Sequence, residues 1–300
     1  MIPLFDLHCD TLTEMYEKSL PFDFSGLNIS DEKLSHFSPY IQVCAIWSNA
    51  TLSDNDAFLR YKEVVKYKNL QNMHFCRSAS SMRDKSFILA VEDARILSGD
   101  ISRLDTLKSD GVKIMTLMWR DVSCIGGAWN TSCGLTDFGV QTVIKCFENG
   151  IIPDISHASE KSAFQVFELA EKYGKTILAT HSNSYAVCHH KRNLCDEAFL
   201  RIKSLDGRVG ISLVPEHLSD SGKADFSDIL KHIEHYLRLG GEDIVALGCD
   251  FDGVSSLPCG ILGIDDLQKL YSIICDSFGT RCAKKIFFGN AYRFACKKLK

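Results

Sequence analysis

At 300 residues the chain has room for one large domain or two small ones, and 45% hydrophobic with 24% charged residues is the make-up of an ordinary globular protein. A net charge of −4 argues against nucleic acid as a partner, since phosphate binding calls for a basic surface. The 13 cysteines are odd in number and include no CxxC, so they read as reduced thiols of a cytoplasmic protein rather than a disulfide framework. The chain opens on a candidate strand with no basic, apolar leader, and no apolar stretch is long enough to span a bilayer. Neither secretion nor a membrane partner is expected.

In chain order, eight short apolar or β-branched runs have the length of buried strands: 2–8, 41–47, 86–92, 112–119, 150–157, 175–181, 208–214 and 243–250. Amphipathic helical segments lie among the later ones. Residues 136–150, 159–174, 226–241 and 266–279 repeat apolar side chains at helical spacing, and 159–174 ends on the stop glycine Gly174. Strands apolar on both faces and separated by helices predict a parallel sheet. Eight such units favour a closed (β/α)8 barrel over an open doubly wound sheet. No domain boundary is visible, so residues 1–300 read as a single domain. The stretch 11–40 is long for a loop between strand and helix and is expected to reach over the barrel mouth.

In such barrels the chemistry sits at the C-terminal ends of the strands. There this chain places His8 and Asp10 after the first strand, Glu92 and Asp93 after the third, His157 after the fifth, His181 after the sixth, and Asp250 and Asp252 after the eighth. Residues i and i+2 of a strand share a face, so His8 and Asp10 can grip one ion from two sides. By the same parity Asp6 shares that face, deeper in the barrel, in a supporting role. Imidazole nitrogen and carboxylate oxygen together suit zinc or a similar transition metal. Five protein ligands (His8, Asp10, Glu92, His157, His181) exceed the three of a single catalytic zinc and fit two ions if Glu92 bridges them. Two ions about 3.5 Å apart can hold and acidify a bridging water for hydrolysis. Asp250 is placed to take that water's proton and pass it to a leaving amine. Arg192, in the loop after strand six, can pair with a substrate carboxylate.

Each residue also has a plainer reading. A lone His-x-Asp is common by chance, and His157 and His181 could be hydrogen-bonded core histidines. Asp250 could cap a turn, Arg192 could be a surface charge, and Asp252 serves the turn with Gly253. Asp154 falls within a strand and reads as structural. His189 and His190 read as surface residues, His232 and His235 as solvated, and His36 and His74 have no acid at ligand spacing. Chance handles the joint pattern badly, because it would not load the strand ends while sparing their interiors.

The stretches "DLHCDTL", "AVED", "GLTDFG", "DISHAS", "THSNSYAVCHHKRN" and "GCDFDG", in this order from residue 6 to about 253, resemble the renal (membrane) dipeptidase family of amidohydrolase-like barrels; "FFGNAYRFA" resembles its closing helix. The resemblance covers essentially the whole chain. It implies that His8 and Asp10 bind one Zn2+, His157 and His181 a second, that Glu92 bridges both, that Asp250 acts on the water and leaving group, and that Arg192 binds the free carboxylate of a dipeptide substrate. It also implies that a homodimer is common. Two positions depart from the renal branch. Trp119 stands where that branch has a histidine thought to steady the oxyanion, as in bacterial-type members, and is expected beside the substrate. Asp93-Ala94 replaces paired glycines after Glu92, so that loop is expected to differ. The rival readings are another amide or ester hydrolase (a deacetylase or lactonase) on the same barrel, or a barrel that binds metal or peptide without turnover.

Overall fold

The computed structural model describes residues 1–299. Eight parallel strands close into a barrel in sequence order: β1 (Ile2–Cys9), β2 (Phe37–Trp47), β3 (Lys85–Glu92), β4 (Ile114–Thr116), β5 (Ile152–Asp154), β6 (Leu178–Ala179), β7 (Arg208–Ile211) and β8 (Val245–Leu247). Every predicted run overlaps its strand: β1 to β3 extend past their runs at one end, β2 by four residues, and β4 to β8 are shorter than the apolar runs that announced them. The helices that carry the chain back are α1 (Thr11–Lys18), α2 (Asp54–Asn69), α3 (Arg103–Asp110), α4 (Asp137–Asn149), α5 (Glu160–Tyr173), α6 (Asp196–Ser204), the short α7 (Pro215–Leu218), α8 (Phe226–Arg238) and α9 (Leu267–Phe278). Thr136 and Ser159 cap α4 and α5 by accepting the Gly139 and Ser162 amides, contacts worth about 1 kcal/mol each. Gly150 and Gly174 end the same helices in the left-handed conformation that glycine adopts without strain. The chain closes with α10 (Thr280–Lys284), a π turn over Lys285–Gly289 and α11 (Asn290–Lys298).

Strand alternation divides the core in two. One set of side chains, including Leu4, Tyr40, Cys44, Val91 and Leu247, packs outward against the helices. The other fills the barrel: Phe5 and Leu7, Ile41, Val43 and Ala45, Ile88 and Ala90, Ile114, Ile152, Leu178 and Ala246, plugged from the N-terminal end by Phe294, Ala295 and Leu299. One step further along these inward rows the residues become Glu92, Thr116, Asp154 and Thr180. The apolar interior is therefore roofed by a polar layer, and the site rests on it.

One expectation changes here. Asp6 does not share the inward face of His8. The register runs from Asp6↔Gln42 to Cys9↔Cys44, three steps on β1 against two on β2. That bulge turns His8 inward after Phe5 and Leu7, and leaves Asp6 on the other face. The stretch after α1 fastens to the rim of the barrel. Asp252, in the loop after β8, accepts from the Asn28 amide (2.7 Å) and the Thr11 hydroxyl (2.6 Å). From there the chain descends through a 3-10 turn at Glu32–His36 to the start of β2.

Candidate metal centre

Six of the predicted site residues meet at the C-terminal mouth of the barrel. His8 Nε2 lies 3.3 Å from Glu92 Oε2, 3.7 Å from Asp250 Oδ1 and 4.0 Å from Asp10 Oδ2. The other oxygen of Glu92, Oε1, lies 2.9 Å from His157 Nε2 and 3.5 Å from His181 Nε2. Glu92 thus divides its two oxygens between the imidazole of β1 and the pair that follows β5 and β6. His8–Glu92–His181 and His8–Asp10–Asp250 each form a buried group compact enough to hold one cation.

Hydrogen bonds on the far side fix the tautomers of the second pair. His157 Nδ1 is 2.9 Å from the Trp119 carbonyl, which can only accept, so Nδ1 carries the proton. His181 Nδ1 is 2.8 Å from Thr180 Oγ1, whose own proton goes to Asp154 at 2.6 Å. Nδ1 of His181 is therefore protonated too. Both Nε2 atoms are left with lone pairs, 2.9 Å apart and beside Glu92 Oε1. Burial, joined by the Arg192 charge, pushes His157 down to about 4, and burial with the charge of His8 holds His181 well below its usual range. Neutral imidazoles have no second proton to place between those atoms. This set of lone pairs and carboxylate oxygen suits a divalent cation, with the outer nitrogens oriented as metal-binding histidines require. Asp154 accordingly does more than brace its strand: it accepts from Thr116 and Thr180 and from the amides of Ser156 and Thr180.

The half built from β1 and β8 is more acidic and less tied down. Buried His8 Nε2 and Asp10 Oδ1 have no hydrogen-bond partner. Burial resists charge on His8, but Glu92, Asp250 and Asp10 outweigh it and push the imidazole up to about 10. Burial and the charge of Glu92 push Asp10 well above the carboxylate range, and burial lifts Asp250 to about 6. Glu92 goes the other way: burial opposes its charge, yet facing His8 and His157 hold it well below the usual range. His157 and Asp250 both adopt positive φ (70° and 64°), costing a non-glycine residue about 1–3 kcal/mol. Gly253 is required here, since a Cβ on it would stand 2.3 Å from Asp10 Oδ2 and 2.6 Å from Asp250 Oδ1.

Arg192 is not a surface charge. It is 5% exposed and, among the described residues, sits in no ion pair and leaves Nε and Nη1 without hydrogen-bond partners; Nη2 reaches the His181 carbonyl at 3.5 Å. Burial lowers its pKa to about 10, with Glu92 and Asp250 pulling the other way. A cavity of about 730 Å³ opens beside it between α5 and α6, lined by Trp129, Phe164, Tyr185 and Lys191 among others. Trp119 is half-buried at the rim, its ring 5.1 Å from Trp47 and 6.2 Å from His157. The Asp93 departure falls on a φ of 154°, a glycine-like conformation; its carboxylate accepts the Arg95 amide, and Arg95 reaches across to the Asn49 and Leu52 carbonyls after β2.

Other histidines differ from expectation. His232 is fully buried, joining the Ser184 amide to the Leu218 carbonyl, because its side of α8 faces the barrel. His235 pairs with Asp196 at 2.7 Å. His190 is half-buried, 5.3 Å from Trp129 and 4.6 Å from His217. His217 escaped the sequence reading altogether, although it follows β7 and the strand-end criterion would have raised it. Burial and Arg192 hold it far below the usual histidine range.

The model of the membrane dipeptidase family (peptidase family M19) matches residues 1–297. A Klebsiella pneumoniae protein of unassigned activity is 28% identical over 220 residues, 67% of this chain and 80% of its own length. A dipeptidase of Aspergillus oryzae is 35% identical over 143 residues, 47% of this chain, and the match spans only 32% of that fungal protein. Among solved structures, a metallopeptidase described as dipeptidase AC superposes with a TM-score of 0.89 at 24% identity, covering 99% of both chains. A Rhodobacter sphaeroides metallopeptidase, solved with a phosphinate mimic of the dipeptide L-Ala-D-Ala, gives 0.88 at 23%, covering 100% of this chain and 99% of its own. At these identities the two structures speak to the fold.

Proposed function

Since the chain belongs to the membrane dipeptidase family, peptidase family M19, and so is a hydrolase of a metallo-dipeptidase family, we propose that it is a dinuclear zinc dipeptidase. The observation that carries this reading is Glu92, with one oxygen toward His8 and the other toward the unprotonated nitrogens of His157 and His181. His8 and Asp10 would hold one ion, His157 and His181 the other, and Glu92 would bridge them. When bound, the two ions supply Lewis-acid activation of a bridging water and of the scissile carbonyl at neutral pH.

The chain's own groups do the rest. Arg192 receives the free carboxylate of the dipeptide, because a buried guanidinium without an anion gains more from a carboxylate than an exposed one does. This favours a dipeptide over a neutral ester or lactone. Asp250, its carboxyl lifted to about 6, is suited to take a proton from water and return it to the departing amine. Trp119 and Trp47 wall the substrate from the side of β2 and β4, and the cavity beside Arg192 has volume for a side chain. All 13 cysteines are free thiols, in keeping with a cytoplasmic enzyme, and among the described residues no helix is long and apolar enough to cross a membrane. A homodimer is part of the same reading.

Zinc analysis and turnover of a dipeptide panel, with L- and D-residues at the carboxyl end, test the proposal. Two zinc ions per chain and cleavage of free dipeptides, but not of their C-terminal amides, are expected. Hydrolysis of esters or lactones with dipeptides untouched would overturn it. Sedimentation measures the oligomeric state in the same preparation.

A further inference from the structure

The sequence raised Asp6 as a neighbour of the ligands, and the fold turns it away from them. It is completely buried on the outer side of β1. Its Oδ1 accepts two amides, that of Cys249 at 2.9 Å and that of His8 at 3.3 Å. Both belong to the site. His8 is the imidazole of the bulge, and Cys249 immediately precedes Asp250.

The barrel has a weak seam at this place. β1 and β8 pair at one register position, Asp6↔Leu247. The next bridge, Cys9↔Phe251, comes three residues on along β1 but four along the chain after β8, so the ladder is interrupted between them. Two amides there lose strand partners, and a buried amide without an acceptor costs about 1–3 kcal/mol. The Asp6 carboxylate supplies one acceptor to both. Above it the two chains stay side by side, with the Asp250 amide on the His8 carbonyl (3.1 Å) and the Asp10 amide on the Phe251 carbonyl (2.9 Å).

We propose that Asp6 is a positioning residue which, through the amides of His8 and Cys249, sets the placement of the His8–Asp10–Asp250 group and hence the affinity of the cation held there. The inference rests on the two-ion reading of the site. Asp6 touches none of the groups of the His157–His181 pair, which is held from behind through the Trp119 carbonyl and the Thr180 hydroxyl; that hydroxyl also lies 3.5 Å from His8 Nδ1.

The test is the pair of zinc dissociation constants of the purified full-length protein, from chelator competition, for the wild type, Asp6→Ala and Asp6→Asn. The alanine variant should weaken one zinc step at least about tenfold and leave the other within about threefold. The asparagine variant keeps an oxygen acceptor and should restore the weakened step to within about threefold of wild type. A general structural role would move both steps together and lower the melting temperature alike in both variants. Equal weakening of both steps in Asp6→Ala, or no weakening, overturns the proposal. If Asp6→Ala does not fold, Asp6→Ser decides by the same two constants, since its hydroxyl is too short to span to the Cys249 amide. A wild type that binds fewer than two zinc ions would instead refute the two-ion reading, and the two failures are told apart by that control.

Discussion

The two halves of the site are built on different principles. The half that follows β5 and β6 is pre-set: each imidazole is fixed from behind, His157 by a carbonyl and His181 by the Thr180–Asp154 relay, and both are kept neutral by burial. The half that joins β1 to β8 is an acidic cluster around one imidazole, with His8 Nε2 facing Glu92, Asp250 and Asp10, Asp10 Oδ1 outside any hydrogen bond among the described residues, and Asp10 pushed well up. One half is organised by hydrogen bonds within the chain. The other draws its order from charge and from the seam below it. The lesson is that one cluster of candidate ligands can join a neutral half fixed by hydrogen bonds to a charged one, with Glu92 as the link.

Breaking the link should have the largest effect. Glu92→Gln removes the charge shared by both halves, and kcat/KM should fall at least about a thousandfold, about 4 kcal/mol of barrier, with zinc content reduced. Next comes the relay of the rigid half. Thr180→Val leaves His181 Nδ1 without its acceptor, and one zinc step should weaken about 10- to 100-fold, measured by chelator competition. The Thr180 hydroxyl also lies 3.5 Å from His8 Nδ1, so the step governed by the β1–β8 half should weaken as well, but less. Arg192→Lys removes a two-pronged donor from a buried site, so KM for dipeptides should rise about 10- to 100-fold with a smaller change in kcat. The smallest effect expected is on pH dependence. In the proposed mechanism Asp250 is the base in its charged form, so activity should fall as pH drops through its pKa, about tenfold per unit. Burial sets that pKa at about 6 in the chain itself, and bound cations favour the charged form. The acid limb of kcat/KM in the zinc-loaded enzyme should therefore lie below pH about 6, and a limb well above it would remove Asp250 from this role.

Much of the rigid half was legible in the sequence, because it obeys simple alternation. Glu92 continues the inward row of Ile88 and Ala90. His157 and His181 stand just beyond strands whose apolar runs mark them. The compliant half was legible in composition but not in geometry. "DLHCD" suggests one face by parity, and a one-residue bulge, set by pairing with β2, separates Asp6 from His8 and Asp10. Thr180 and Trp119 act through a hydroxyl and a carbonyl, groups that no residue type advertises. The burial of Arg192 and His232 depends on packing between segments distant in the chain, which a local reading cannot supply. Asp252 was read as a turn residue, and its bonds to Thr11 and Asn28 tie the mouth to α1 and the loop beyond it.

The measurement that bears most directly on a two-zinc dipeptidase is zinc stoichiometry with dipeptide turnover in the wild type and in His157→Ala and His181→Ala. Two zinc ions are expected in the wild type, one weakened or lost in each variant, and activity lost with it. Two zinc ions still bound and full dipeptidase activity in both variants would contradict it.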